Sequence, residues 1–293
     1  GESRTVTVRK VQSKQASAHS SDALALSFCP HSLNLLSRLA AEHPPSEEEL
    51  ARAAAGGEPE VQGMEGGDDQ VSPRKRKKNQ TEAEATSEEL KSRALAFAGN
   101  QQATPERRKM AAQRAALPIS EHRQQILDAV AAHQVIMVAG ETGCGKTTQV
   151  PQFLLEDSWA RGARCKMVCT QPRRISAVTV SERVASERGE RIGQGNIGYQ
   201  IRLESKGDAS TPVMFCTNGI LLRKLASRDS HEEVSQLTHI IIDEIHERDR
   251  FADFMLIILK DILPQYPHLK LILMSATLNE QMFARYFDSC PVI

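Results

Sequence analysis

The sequence predicts an α/β fold, a doubly wound parallel sheet over residues 104–293 that follows a largely disordered N-terminal region. Two observations carry this. Five short apolar, β-branched runs at 135–139, 166–170, 213–217, 240–242 and 269–274 alternate with helical stretches, as buried parallel strands covered on both faces do. Of the twelve aromatic residues only Phe28 and Phe97 precede position 150, so the ordered core belongs to the C-terminal part.

Residues 1–12 and 13–103 come first. In the second stretch Ala55-Gly56-Gly57-Glu58-Pro59, Gly63 and Gly66-Gly67-Asp68-Asp69 break every periodicity, and the segment reads as a low-complexity linker. One short helix is expected at 33–41, with Leu33, Leu36 and Ala40 on one face and Pro44-Pro45 ending it. Pro73-Arg74-Lys75-Arg76-Lys77-Lys78 is the one dense basic block. It reads as a solvated charge run, a nuclear import signal that favours a nuclear residence, or a phosphate-binding arm.

From Thr104 the texture changes. Thr104-Pro105-Glu106 starts a helix with a capping hydroxyl, a first-turn proline and an acid near the positive end of the dipole. That helix must stop before Pro118. Ser120 is expected to cap a second helix burying Ile126, Leu127 and Val130. Pro151 falls inside the helix after the first strand and should bend it.

Composition limits the function. Lysine plus arginine (37) equals aspartate plus glutamate (37), which excludes a uniformly basic nucleic-acid coat and leaves local patches. Six cysteines without a CxxC pair read as reduced thiols, not as a disulfide frame or zinc site. No apolar run reaches the roughly 18 residues of a membrane span. An intracellular chain, truncated at one or both ends, is expected.

The most informative stretch is Gly140-Glu141-Thr142-Gly143-Cys144-Gly145-Lys146-Thr147, followed by Thr148, between the first strand and its helix. It fits GxxxxGK[ST], where glycines let successive N–H groups point at one centre beside a helix N-terminus. Lys146 is placed to reach the β- and γ-phosphates of a nucleotide, and Thr147 to hold Mg²⁺. Cys144 reads as a small loop filler. At the end of the fourth strand stand Asp243 and Glu244. The first is suited to Mg²⁺, the second to orienting and deprotonating a water, with Glu244 counted beside it at the metal.

With those residues in view the chain resembles DEAH/RHA-type superfamily 2 RNA helicases. The resemblance rests on Gly140–Thr147, Thr170-Gln171-Pro172-Arg173-Arg174-Ile175-Ser176-Ala177, Thr217-Asn218-Gly219-Ile220-Leu221, Asp243-Glu244-Ile245-His246 and Ser275-Ala276-Thr277, in that order. The surroundings of Asp243–Phe254 and Arg285–Ile293 are most similar to the branch with a small arginine–histidine-signature nucleic-acid-binding domain, which includes YTH-domain helicases of animals and nuclear DEIH helicases of plants. Residues 1–10 are similar to the last strand of that small domain, whose signature is not in this chain.

The resemblance implies that 104–293 is a RecA-like P-loop NTPase lobe, the first of two, using ATP and Mg²⁺ and acting on single-stranded or structured RNA. It implies that Arg173 and Arg174 contact the RNA strand, whereas a surface ion pair would also suit them. Thr217 and Asn218 would line the same path or cap the next helix. His246 would link the phosphate site to Ser275 and Thr277, which couple hydrolysis to strand separation. Arg183 would pack on the nucleotide base, or else face solvent. A second lobe would supply the arginines that complete hydrolysis. The expected function is therefore ATP-dependent RNA unwinding in the full-length parent, with nucleotide binding and little turnover in this chain. A nucleotide-gated RNA scaffold and a DNA translocase are the alternatives; a GTPase or kinase is disfavoured because the second and fourth motifs have no place there.

Overall fold

The structure, a computed structural model, describes residues 85–227, 230–247, 249–276 and 280–293. The expectations for 1–12, for the helix at 33–41 and for the basic block at 73–78 lie outside these residues, as does Thr277.

The first described element is helix α1 (Ser87–Gln101). Its start is locked reciprocally: Glu89 N donates to Thr86 Oγ1 at 3.3 Å and Thr86 N to Glu89 Oε2 at 2.7 Å. Regular structure is therefore present before residue 104, within the stretch expected to be a linker. The helix is mostly polar and buries Leu90, and its Phe97 ring lies 4.0 Å from the guanidinium carbon of Arg188. Docking, not composition, orders it.

Helix α2 (Pro105–Ala115) starts as read, with Arg107 N donating to Thr104 Oγ1 at 3.3 Å. The expected cap at Ser120 does not form. A 3-10 turn (Pro118–His122) intervenes, and Ser120 Oγ donates back to Arg114 O at 2.7 Å. Helix α3 (Arg123–Ala132) then buries Ile126, Leu127 and Val130.

Seven strands form one sheet: β1 (Val135–Ala139), β2 (Met167–Gln171), β3 (Ile197–Ile201), β4 (Glu204–Lys206), β5 (Val213–Thr217), β6 (His239–Ile242) and β7 (Lys270–Ser275). Their spatial order is β1-β7-β6-β2-β5-β3-β4, parallel throughout except for the β3–β4 hairpin. The crossovers carry α4 (Lys146–Ala160), α5 (Arg174–Arg188), α6 (Asn218–Leu225), α7 (Ser230–Gln236) and α8 (Arg250–Ile262); α9 (Glu280–Tyr286) follows β7. Pro151 is taken up inside α4 without ending it.

Period-two alternation divides the core. Ile241 and Ile272 face the layer containing α3, α4 and α5, whereas Ile240, Ile242, Leu271 and Leu273 face the layer of α6, α8 and α9. Each such side chain stabilises the fold by about 2 kcal/mol relative to exposure. The hairpin was not expected from sequence. Gly198 in β3 is required there, because a Cβ would come within 2.5 Å of Lys206 O and 2.7 Å of Met214 Sδ. The outer edge of β1 is paired by the last residues: Met137 N donates to Pro291 O and Ile293 N to Met137 O, both at 2.9 Å.

Because the central strands are parallel, their carboxyl ends share one edge. Ala139 stands opposite Ser275, and Gln171 opposite Thr217. The chain leaves β1 for β2 three positions away, and β6 and β7 later fill the gap, which opens a crevice at that edge.

His239 opens β6 in the interior. Burial, with repulsion from Arg161 and Lys270 adding to it, pushes its imidazole down to about 4 from 6.5. The unfolded chain then takes up a proton below pH 6.5 that the native state refuses until about pH 4. The stability contribution is full above that window and is lost as pH falls through it, by roughly 3 kcal/mol. A His239→Gln variant is expected to show a flatter dependence of its urea midpoint between pH 7 and 4.5. Equal slopes for variant and parent chain would contradict this.

Candidate active site

The loop after β1 starts at Gly140, whose N–H donates to Ser275 O at 3.2 Å and so ties it to β7. Gly143 and Gly145 have φ of 87° and 102°, a left-handed backbone that suits glycine and that turns the chain into α4. The first helical bond of α4 runs from Gln149 N to Gly145 O at 2.8 Å, so the N–H groups of its first turn lack an intrahelical acceptor. They face a cavity of about 230 Å³ whose lining includes Thr142, Gly143, Gly145, Lys146, Thr147 and Thr148. Arg183, Glu187, Leu117 and Glu244 line the same space. Glu141 and Cys144 complete the loop. Lys146 Nζ donates to Gly140 O at 2.5 Å and Glu141 O at 3.0 Å, with Cys144 Sγ 3.6 Å away.

Asp243, immediately after β6, lies beneath the cavity. Thr147 Oγ1 donates to its Oδ2 at 2.5 Å, joining positions 96 residues apart, and Gln171 Nε2 donates to the same oxygen at 2.7 Å. Burial pushes the Asp243 carboxyl up from its ordinary range, against the donated bonds from Thr147, Gln171 and Glu244 N, which pull it down. Glu244 has φ of 54°, which costs about 1–2 kcal/mol for a side-chain-bearing residue. Its N–H donates to Asp243 Oδ1 at 2.9 Å, which holds that conformation and turns the carboxylate toward the cavity. Burial and then the Asp243 charge push the Glu244 carboxyl upward as well.

These residues fit a nucleotide with Mg²⁺. Free amides and an ammonium group face one cavity, and the Thr147 hydroxyl and Asp243 carboxylate offer the hard oxygen donors that Mg²⁺ takes.

His246 Nδ1 lies 3.3 Å from Glu244 Oε2 and accepts from Ala276 N at 3.3 Å. The second bond requires the ring proton on Nε2. The acidic segment and the segment after β7 are thus in contact through one imidazole. Ser275 ends β7 in the interior, and Thr277 lies outside the described residues.

On the other side of the edge, Arg173 and Arg174 open α5. Both are exposed; Arg173 Nη2 pairs with Glu247 Oε1 at 3.4 Å and Arg174 Nη2 donates to Arg202 O at 3.3 Å. Thr217 takes the N-cap position of α6, yet its side chain makes no capping bond. Asn218 is buried, and its Nδ2 donates to Asp249 Oδ2 at 3.2 Å, so its amide is not presented at the surface. Arg183 is exposed, and its Nε donates to Glu187 Oε1 at 2.8 Å at the mouth of the cavity.

Sequence reasoning missed Gln171 as a partner of Asp243, Leu117 as a cavity wall and Glu187 altogether. Gln171 stands inside a motif already singled out; the other two have no local signal.

The family described as DEAD/DEAH box helicase matches residues 120–284, more than half of the chain. Three curated relatives show the extent of similarity. The DExH-box ATP-dependent RNA helicase DExH6 of Arabidopsis thaliana is 59% identical over 181 residues, covering 61% of this chain and 14% of its own length. DExH3 of the same plant is 52% identical over 209 residues, 70% of this chain and 17% of its own. The ATP-dependent RNA helicase DHX30 of Rattus norvegicus is 53% identical over 180 residues, 60% of this chain and 15% of its own. The chain thus spans less than a fifth of each of these relatives.

Proposed function

The chain belongs to the DEAD/DEAH box helicase family, and from that premise we propose that it is the first, RecA-like lobe of an ATP-dependent RNA helicase. The observation that carries the proposal is the Thr147–Asp243 bond at 2.5 Å, which joins the two acidic and phosphate-loop motifs over a cavity also lined by Lys146 and Glu244.

In this reading the loop from Gly140 to Thr148 binds the phosphates through its N–H groups, and Lys146 exchanges its two carbonyl partners for phosphate oxygens. Thr147 and Asp243, with Glu244 beside them, hold Mg²⁺, which when bound neutralises charge on the β- and γ-phosphates. Glu244 accepts the proton of the water that attacks the γ-phosphorus as the bond to the β-phosphate oxygen breaks. ADP and inorganic phosphate result. Arg183 packs on the base. His246 passes the state of Glu244 to the segment carrying Ser275 and Thr277.

Arg173 and Arg174 hold backbone phosphates of single-stranded RNA without reading bases. Thr217 adds its hydroxyl, and Asn218 contributes through its N–H at the start of α6, since its side chain is turned inward. A second lobe contributes the arginines that complete catalysis, and their removal costs about three to five orders of magnitude in rate. The 293-residue chain alone is therefore expected to bind nucleotide and turn it over very slowly.

The test is ATP hydrolysis by the full-length parent with and without single-stranded RNA, beside Lys146→Ala. RNA-stimulated turnover and a loss of nucleotide binding in the variant are expected. Tight nucleotide binding without turnover would favour an RNA scaffold, and stimulation by DNA alone a DNA translocase.

A further inference from the structure

The Arg183–Glu187 pair at the cavity mouth continues away from it into helix α2. The Glu187 side chain is 2% exposed, while that of Arg183 is 57% exposed. Glu187 Oε1 accepts from Arg183 Nε at 2.8 Å, and its Oε2 accepts from Gln149 Nε2 at 2.8 Å and Gln152 Nε2 at 2.9 Å. Every one of these neighbours is a donor, so the site requires a carboxylate; an amide would set N–H against N–H.

Gln149 is itself held. Its Oε1 accepts from Arg114 Nε at 2.9 Å, which fixes the amide so that Nε2 faces Glu187. Arg114 Nη2 meanwhile pairs with Glu156 Oε1 at 2.9 Å, so the guanidinium cannot re-aim without losing a charge-assisted bond. Arg114 and Gln149 also line an amphipathic groove of about 920 Å³ along α1 and α2, whereas Glu187 and Arg183 line the phosphate-loop cavity. The hydrogen-bonded wall between the two spaces is only two side chains thick. A second link runs parallel to it: Ile119 N donates to Cys144 O at 3.1 Å, and a Cβ at Gly145 would come within 3.0 Å of Ile119 and 3.1 Å of Leu117.

We infer that Glu187 and, through Gln149, Arg114 are positioning residues that set Arg183 against the nucleotide base, which makes the N-terminal helix α2 a working part of the nucleotide pocket. This rests on the reading that Arg183 packs on the base. A long, half-exposed arginine side chain samples many rotamers; a buried carboxylate on its Nε removes most of them before nucleotide arrives.

The experiment compares binding of ADP and of inorganic pyrophosphate, which lacks a base, by the 293-residue chain and by Glu187→Gln, Arg114→Met and Arg183→Ala. Thermal unfolding identifies any variant that does not fold, and the less buried Arg114→Met then carries the test. Glu187→Gln and Arg114→Met are expected to weaken ADP roughly threefold to tenfold and to leave pyrophosphate within about twofold. The Glu187→Gln/Arg183→Ala double variant should bind ADP no more weakly than Arg183→Ala alone, because both act through one side chain.

Equal losses for ADP and pyrophosphate would make Glu187 a merely structural residue and overturn the inference. So would a loss confined to Arg183→Ala. An unchanged ADP-to-pyrophosphate ratio in Arg183→Ala would instead overturn the base-packing reading itself. Failure of the unmutated chain to bind ADP would remove the nucleotide site and both ideas with it.

Discussion

Glu244→Gln in the full-length parent is expected to lower RNA-stimulated ATP turnover by about two to four orders of magnitude, the usual worth of a positioned general base. Nucleotide affinity should stay within a few-fold. The substitution is nearly isosteric and leaves the N–H that donates to Asp243 Oδ1 in place, so the left-handed turn at φ of 54° keeps its support. What is lost is the ability to take a proton. Burial and the neighbouring Asp243 charge already hold the Glu244 carboxyl above its ordinary range, which makes it a stronger base than an exposed glutamate. Asp243→Asn is a less selective probe, because Oδ2 accepts from Thr147 and Gln171 and Oδ1 from Glu244 N, and an amide nitrogen at either position loses the bonds made there. Phosphate release at saturating RNA, measured beside ADP affinity, checks the expectation. Turnover within tenfold of the unmodified protein would sink the assignment of Glu244 as base.

The sequence showed those parts of the fold whose physics is local. β1, β2, β5, β6 and β7 are buried on both faces, and burial on both faces writes itself as a contiguous apolar run. β3 and β4 lie at the sheet's far edge. One contains Gly198 and Gln200 and the other, Glu204–Lys206, is exposed throughout, so neither carries that signal. Helix α1 was unreadable for a different reason: a single buried leucine and one ring stacked on a distant arginine are tertiary facts, and the segment's composition is that of a linker. The site divides along the same line. Loop, acids and histidine sit in motifs whose spacing is fixed by strand ends. The Arg114–Gln149–Glu187 chain joins residues 35 and 38 positions apart, and nothing near any one of them announces the other two. Ser120 and Asn218 show the converse, side chains whose partners in the fold are not local. A hydroxyl or amide beside a helix start suggests a cap or a surface contact, but in the fold each finds a stronger partner, Arg114 O for one and Asp249 for the other.

Arg188→Ala is expected to destabilise the chain by about 3 kcal/mol and to release helix α1 first. The Arg188 side chain is 0% exposed, pairs with Glu190 at 2.9 Å and Glu156 at 3.4 Å, and stacks 4.0 Å from Phe97 and 5.6 Å from Trp159. Removing one member of a buried pair typically costs about 3–5 kcal/mol. The lower end applies because neither carboxylate is left alone: Glu156 keeps Arg114 and Arg123, and Glu190 keeps the Asn196 backbone and side-chain donors. What alanine cannot replace is the platform under Phe97, the one aromatic contact through which α1 reaches Arg188 on α5. Arg188→Lys should fall between, since it keeps the charge but loses the planar stack. Urea unfolding gives the global cost, and amide hydrogen exchange across 87–101 shows whether α1 opens below the global transition. A change under about 1 kcal/mol with α1 protection intact would mean that α1 is held by its own packing through Leu90 and Ala94 and not by Arg188. Early opening of α1 together with weaker ADP binding would place Arg188 upstream of Arg114, since both guanidiniums donate to Glu156 Oε1.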